Sequence, residues 1–134
     1  MNPSSFRLTV SIAAKPKNVF AALTEAKRIA QWSGQKGKVS PKAGGRIEMF
    51  DGWVKGKVLE FKPGESLVYT WLPSDWPEYA EESVVKCTFA PSGKGTKIIL
   101  EHSNFPNATE KKNHRSGWKE FVLDPLKRYL STNH

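Results

Sequence analysis

Asn107-Ala-Thr-Glu-Lys-Lys-Asn-His-Arg-Ser-Gly-Trp-Lys-Glu-Phe-Val-Leu-Asp-Pro-Leu126 carries one apolar stripe, made of His114, Trp118, Phe121, Val122 and Leu126. That spacing predicts a long amphipathic helix whose stripe must rest on another layer. Asn107, with Glu110 three residues on, reads as a capping box at its start. Pro125 offers no N–H to the carbonyl of Phe121, so a kink or break is expected there. The layer beneath is written upstream. Phe6, Leu8, Val10 and Ile12 alternate with Arg7, Thr9 and Ser11, the period of a half-buried strand. Pro16 then opens a short helix that turns Val19, Phe20 and Leu23 inward. A second short helix is expected from Thr24 to Trp32, stopping near Ser33-Gly34. Six more strands follow, over Lys38–Ser40, Arg46–Phe50, Trp53–Phe61, Leu67–Leu72, Ser83–Phe89 and Thr96–His102. Short turns join most of them, so the strands form an antiparallel meander. The chain is thus α+β: a curved antiparallel sheet of about seven strands wrapped around a long C-terminal helix, with two short helices after the first strand. Residues 1–134 are expected to form one domain.

Composition narrows the function classes. Five Trp, seven Phe and three Tyr in 134 residues are enough to build a core and a wall around a ligand. A single cysteine, Cys87, excludes an internal disulfide and a cysteine-based zinc site. The three histidines, His102, His114 and the terminal His134, have no metal-ligand spacing, so neither metal nor cofactor is expected; His134 is expected to be disordered. No apolar run is long enough to span a membrane. Met1-Asn-Pro-Ser-Ser5 is polar and unlike a signal peptide, so a cytoplasmic protein is the simplest reading. Residues 1–62 hold 12 Lys and Arg against 4 Asp and Glu, whereas residues 63–134 hold 9 of each. Lys15, Lys17, Lys36, Lys38, Lys42 and Arg46 therefore stand out as a surface for an acidic partner. Trp76, in the polar loop from Pro73 to Glu82, is a further partner contact or a lid. No zinc-finger spacing, basic heptad or RNP-type sequence is present, which argues against nucleic acid.

Several stretches together resemble one family. They are Trp32, closing the second helix; Ala43-Gly-Gly-Arg46; Gly56-Lys-Val-Leu-Glu-Phe-Lys-Pro63; Leu67-Val-Tyr-Thr-Trp71; Gly95-Thr-Lys-Ile-Ile-Leu-Glu-His102; and Gly117-Trp118. In this order they look like the family homologous to the C-terminal domain of the heat-shock-protein-90 ATPase activator. That family lies within the START-related, birch-allergen-like helix-grip (SRPBCC) superfamily. The resemblance implies the helix-grip fold, and it makes a heat-shock-protein-90-type chaperone an expected partner. The eukaryotic activator has an additional N-terminal domain that drives the ATPase cycle. With the first strand beginning near Phe6, strong ATPase stimulation by this chain alone is not expected. The wider superfamily includes lipid carriers, hormone-binding proteins and polyketide cyclases.

A sheet wrapped around a helix leaves a cavity suited to a small hydrophobic molecule. Its walls are expected to be Trp32 from the second helix, Ile47, Met49 and Val58 from the first hairpin, and Tyr69 and Trp71 from the strand after it. Val85, Cys87, Leu100 and His102 would continue the wall, and Trp118, Phe121 and Val122 would close it from the long helix. His102, ending its strand, is expected at the mouth. The first reading is a non-enzymatic binder of that molecule. A co-chaperone-like protein docking through its charged surface is the alternative. A cyclase- or hydrolase-type enzyme is the third, drawing on Tyr69, Cys87, His102 and Arg115. Glu48, Glu60 and Glu101 are expected to face solvent beside Lys and Arg.

Overall fold

The structure, a computed structural model, describes residues 5–132. Residues 1–4 and 133–134, His134 among them, lie outside the described residues. The elements are β1 (Phe6–Ile12), α1 (Pro16–Thr24), α2 (Ala26–Ser33), β2 (Lys38–Val39), β3 (Arg46–Met49), β4 (Val54–Lys62), β5 (Ser66–Pro73), β6 (Ser83–Ser92) and β7 (Gly95–Ser103). The closing helical segment runs through α3 (Ala108–Gly117), a π-helical turn (Trp118–Leu123) and α4 (Asp124–Thr132). The seven strands form one sheet, in the order β1-β7-β6-β5-β4-β3-β2. Every pairing is antiparallel. Its inner face and the closing helix share one core, which includes Ile47, Val58, Leu67, Val85, Leu100, Leu126 and Leu130. Among the described residues no helix is long and apolar enough to cross a membrane.

The sheet bends where β4 meets β5. The register slips between Val58 and Glu60. A Cβ on Gly56 would overlap the carbonyl oxygen of Thr70, so only glycine permits that approach. Beside it, the Lys57 N–H donates to Thr70 Oγ1 at 2.8 Å rather than to a backbone carbonyl. The bulge curls the sheet around the helix.

Several strand ends shift by one to three residues, and two features of the helices differ from the sequence reading. Glu25 takes an extended conformation (φ −85°, ψ 124°), so α2 starts at Ala26 and not at Thr24. The Trp32 indole N–H donates to the carbonyl of Ala22 at 2.7 Å and clamps the two short helices together. Pro125 does not break the closing helix. The turn ahead of it widens, with the Asp124 N–H reaching back to the Lys119 carbonyl, and α4 continues with helical torsions. An i→i+5 turn relieves the clash that a proline ring would make inside a regular α-helix.

Candidate functional site

Register brings the polar core together. Phe6 and Val85 flank His102 across β1, β7 and β6, and Trp71 stands opposite Ser83. His102 is fully buried. Its Nδ1 accepts from the Trp118 indole N–H at 2.8 Å, which leaves Nε2 to carry the proton. Nε2 lies 2.8 Å from Ser83 Oγ, and the Ser83 hydroxyl donates onward to the Trp71 carbonyl. The relay from Trp118 to Trp71 is directional, and both ring nitrogens are used. Burial, reinforced by nearby His114, holds His102 well below the usual imidazole range.

His114 repeats this arrangement one layer outward. Its Nε2 accepts from the Trp71 indole N–H at 3.2 Å, and its Nδ1 sits 3.1 Å from the Glu110 carbonyl. Burial lowers its pKa, against the opposing pull of the Glu110 carbonyl and the Glu110 and Asp75 carboxylates. On its outer side opens a cleft of about 460 Å³. Phe50, Trp53, Trp71, Trp118 and Phe121 give the cleft its rings, and Gln35, Asp75, Glu110, Asn113 and His114 its polar groups. Trp53 is 38 % exposed and Phe121 58 %, so the rim presents apolar surface to solvent.

The β3–β4 hairpin holds this rim in an uncommon conformation. Phe50, Asp51 and Gly52 all have positive φ, at 53°, 58° and 88°. A bulky residue such as Phe50 rarely adopts that region. Two bonds to the α2–β2 loop hold the tip: the Lys36 N–H donates to Asp51 Oδ1 at 2.7 Å, and the Asp51 N–H to the Lys36 carbonyl at 2.9 Å. Phe50 then meets both Trp53 and Trp71 edge-on.

Of the expected wall residues, Trp71, Trp118, Phe121 and Val122 line the cleft. Trp32, Ile47, Met49, Val58, Tyr69, Val85, Cys87 and Leu100 are buried in the core behind it. His102 is not at a mouth: the indole of Trp118 and the ring of Phe105 cover it. Phe121 is on the rim rather than under the stripe. Trp76 is not an exposed partner contact. It lies in the β5–β6 loop and is buried against α3, its indole N–H donating to Glu110 Oε1 at 3.1 Å. That bond diverts the Glu110 side chain from closing the capping box, although Asn107 Oδ1 still accepts from the Glu110 N–H at 2.9 Å. Lys15, Lys17, Lys36, Lys38, Lys42 and Arg46 are all exposed. They spread from the start of α1 to the β2–β3 edge rather than gathering at the cleft. Phe50, Trp53, Asp75 and Glu110 were absent from the expected walls; the aromatic residues flanking the Asp51-Gly52 turn were the available signal for the first two.

The groups that covalent or acid–base chemistry would draw on are buried or engaged elsewhere. Cys87 faces Leu100, not His102, and burial pushes its thiol up to about 12. Burial, reinforced by nearby Cys87, also raises Tyr69 well above the usual phenol value. Arg115 reaches over the Phe6 ring at 5.9 Å. Glu48, Glu60 and Glu101 stand beside Lys38, Lys62 and Arg7 at 3.9, 3.5 and 3.5 Å, as the alternation predicts.

Residues 13–131 match the family described as Activator of Hsp90 ATPase homolog 1-like protein. The chain belongs to this family. A relative named activator of 90 kDa heat shock protein ATPase homolog, from Dictyostelium discoideum, is 30 % identical over 89 residues, which is 66 % of this chain and 23 % of that protein. The chain spans 23–38 % of the length of the curated relatives it matches. A crystal structure described as an HSP90 activator from Plasmodium falciparum superposes with a TM-score of 0.85 at 26 % identity, covering 96 % of both chains. A protein from Mesorhizobium loti gives 0.82 at 26 % identity, over 97 % of this chain and 98 % of its own. The Hsp90-activator-like family thus accounts for the helix-grip fold, with the sheet curved around the closing helix. Within that fold, the ring-lined cleft lies between the β3–β4 hairpin, β5 and the closing helical segment.

Proposed function

We propose that this chain is a cytoplasmic, non-enzymatic binder of a small hydrophobic molecule, held in the cleft beside His114. The open, ring-lined volume carries this reading. About 460 Å³ lies within the roughly 300–1,000 Å³ of small-molecule sites, and the lining surface is mostly apolar. The molecule would lie between Trp53 and Phe121 and cover apolar surface that now faces water. Native mass spectrometry of protein purified from its source tests this. A co-purified small molecule that is lost when Phe121 and Trp53 are both changed to Ala is expected. A bound molecule indifferent to those changes would put its site elsewhere.

A second reading is docking on a heat-shock-protein-90-type chaperone. It is supported by the family and by the exposed Lys15, Lys17, Lys36, Lys38, Lys42 and Arg46. Contacts made by such exposed charges weaken as salt rises, because screening sets in beyond about 8 Å at physiological ionic strength. Chaperone affinity that stays flat from low to high salt would remove this electrostatic account.

A further inference from the structure

The cleft has a charge that the rest of the chain does not suggest. The protein carries a net +8, yet no Lys or Arg lines the cleft, while Asp75 and Glu110 do. Among the described residues neither carboxylate is paired with a Lys or Arg. Each is held by an uncharged indole instead. The Trp53 N–H donates to Asp75 Oδ1 at 2.9 Å, and the Trp76 N–H to Glu110 Oε1 at 3.1 Å. His114 Nδ1 lies 3.7 Å from Glu110 Oε1, but burial favours its neutral form, so it does not cancel that charge. The Glu110 side chain is only 28 % exposed, where the field of a carboxylate is poorly screened.

The rings around these carboxylates stand at several angles to one another, and Trp53 and Phe121 are partly exposed. Trp53 lies almost parallel to His114, with 21° between the planes, and Phe50 meets Trp53 and Trp71 at 62° and 78°. Ring faces attract cations, most strongly when the cation has shed its water. We propose that the cleft selects an organic cation: a small apolar body bearing an ammonium or quaternary ammonium group, its charge set on the rings beside Asp75 and Glu110. This inference rests on the cleft-binding reading and names the class of molecule it takes. The indoles position the carboxylates, and the carboxylates supply the charge that an apolar cleft alone lacks.

Two probes of the same shape separate charge from hydrophobic fit: benzyltrimethylammonium and its neutral carbon isostere, neopentylbenzene. Binding is followed by the tryptophan fluorescence of the full chain. The cation is expected to bind about tenfold tighter than the isostere, a ratio within reach of a desolvated ring face reinforced by a carboxylate. Asp75→Asn with Glu110→Gln keeps acceptors for both indoles. It should bring the two affinities together and leave that of neopentylbenzene unchanged. Equal or tighter binding of neopentylbenzene to the wild-type chain would overturn the cation proposal and leave the cleft reading standing. If neither probe binds, both fall. The wild-type comparison decides the matter even if the double variant does not fold.

Discussion

His102 and His114 each accept a hydrogen bond from a tryptophan indole, their rings lie 5.4 Å apart, and yet they belong to different kinds of place. Around His102 every polar atom has a partner, and the sheet, Phe105 and Trp118 exclude solvent. Around His114 the same aromatic chemistry opens outward, toward two carboxylates and a rim of exposed rings. A satisfied, closed network rigidifies a core. A half-open one leaves rings and carboxylates within reach of solvent. The interior relay anchors the Trp118 indole and the Trp71 backbone, His114 anchors the Trp71 indole, and the two rings form the back wall of the cleft.

The largest effect should come from removing the ring that the two places share. Trp118→Ala should destabilise the chain by about 3–5 kcal/mol, the usual cost of deleting a large buried aromatic. A urea titration measures it; an unchanged midpoint and slope would place Trp118 outside the core. The two histidines should then separate. His102→Ala leaves the Trp118 N–H without an acceptor in a dry core and opens a void, for about 3 kcal/mol. His114→Ala frees the Trp71 N–H beside a cleft that water can enter, for about 1 kcal/mol. Equal losses would erase the distinction between closed and open.

Acid should expose the same contrast more gently. Both imidazoles are held below their free value, chiefly by burial. As the pH falls through about 6.5 the unfolded chain takes up protons that the folded chain refuses. This part of the stability is complete above that pH and is lost progressively below it. At pH 5.5 the loss should reach up to about 1.4 kcal/mol for each imidazole. Urea titrations at pH 7.5 and 5.5 read it, and His102→Ala should remove part of the difference. A stability independent of pH across this window would mean that the histidines are solvated.

The strands were readable because their burial alternates, and β6 shows this well: Ser83, Val85, Cys87 and Phe89 are the buried set that period two selects. The site was less readable, because long-range contacts decide it. Phe121 belongs to the stripe on a regular helix. The π-helical turn from Trp118 to Leu123 inserts one extra residue, which shifts the phase by about 100° and sets Phe121 on the rim. Glu110 reads locally as half of a capping box, but Trp76, 34 positions away, captures its side chain. His102 looks like a mouth residue at the end of its strand, and only the arrival of Trp118 and Phe105 above it closes it off.

The indole N–H resonances give the most direct test of the central claim, that the aromatic cleft beside His114 is a binding site. Trp53, Trp71 and Trp118 line it, while Trp32 is anchored to Ala22 in the two short helices and serves as an internal reference. Nitrogen-15-labelled protein titrated with a panel of small aromatic and alkyl fragments, followed by proton–nitrogen correlation spectra, should shift the first three signals with a common saturation curve and leave Trp32 in place. Spectra in which no fragment moves Trp53, Trp71 or Trp118, or in which Trp32 moves with them, would contradict it.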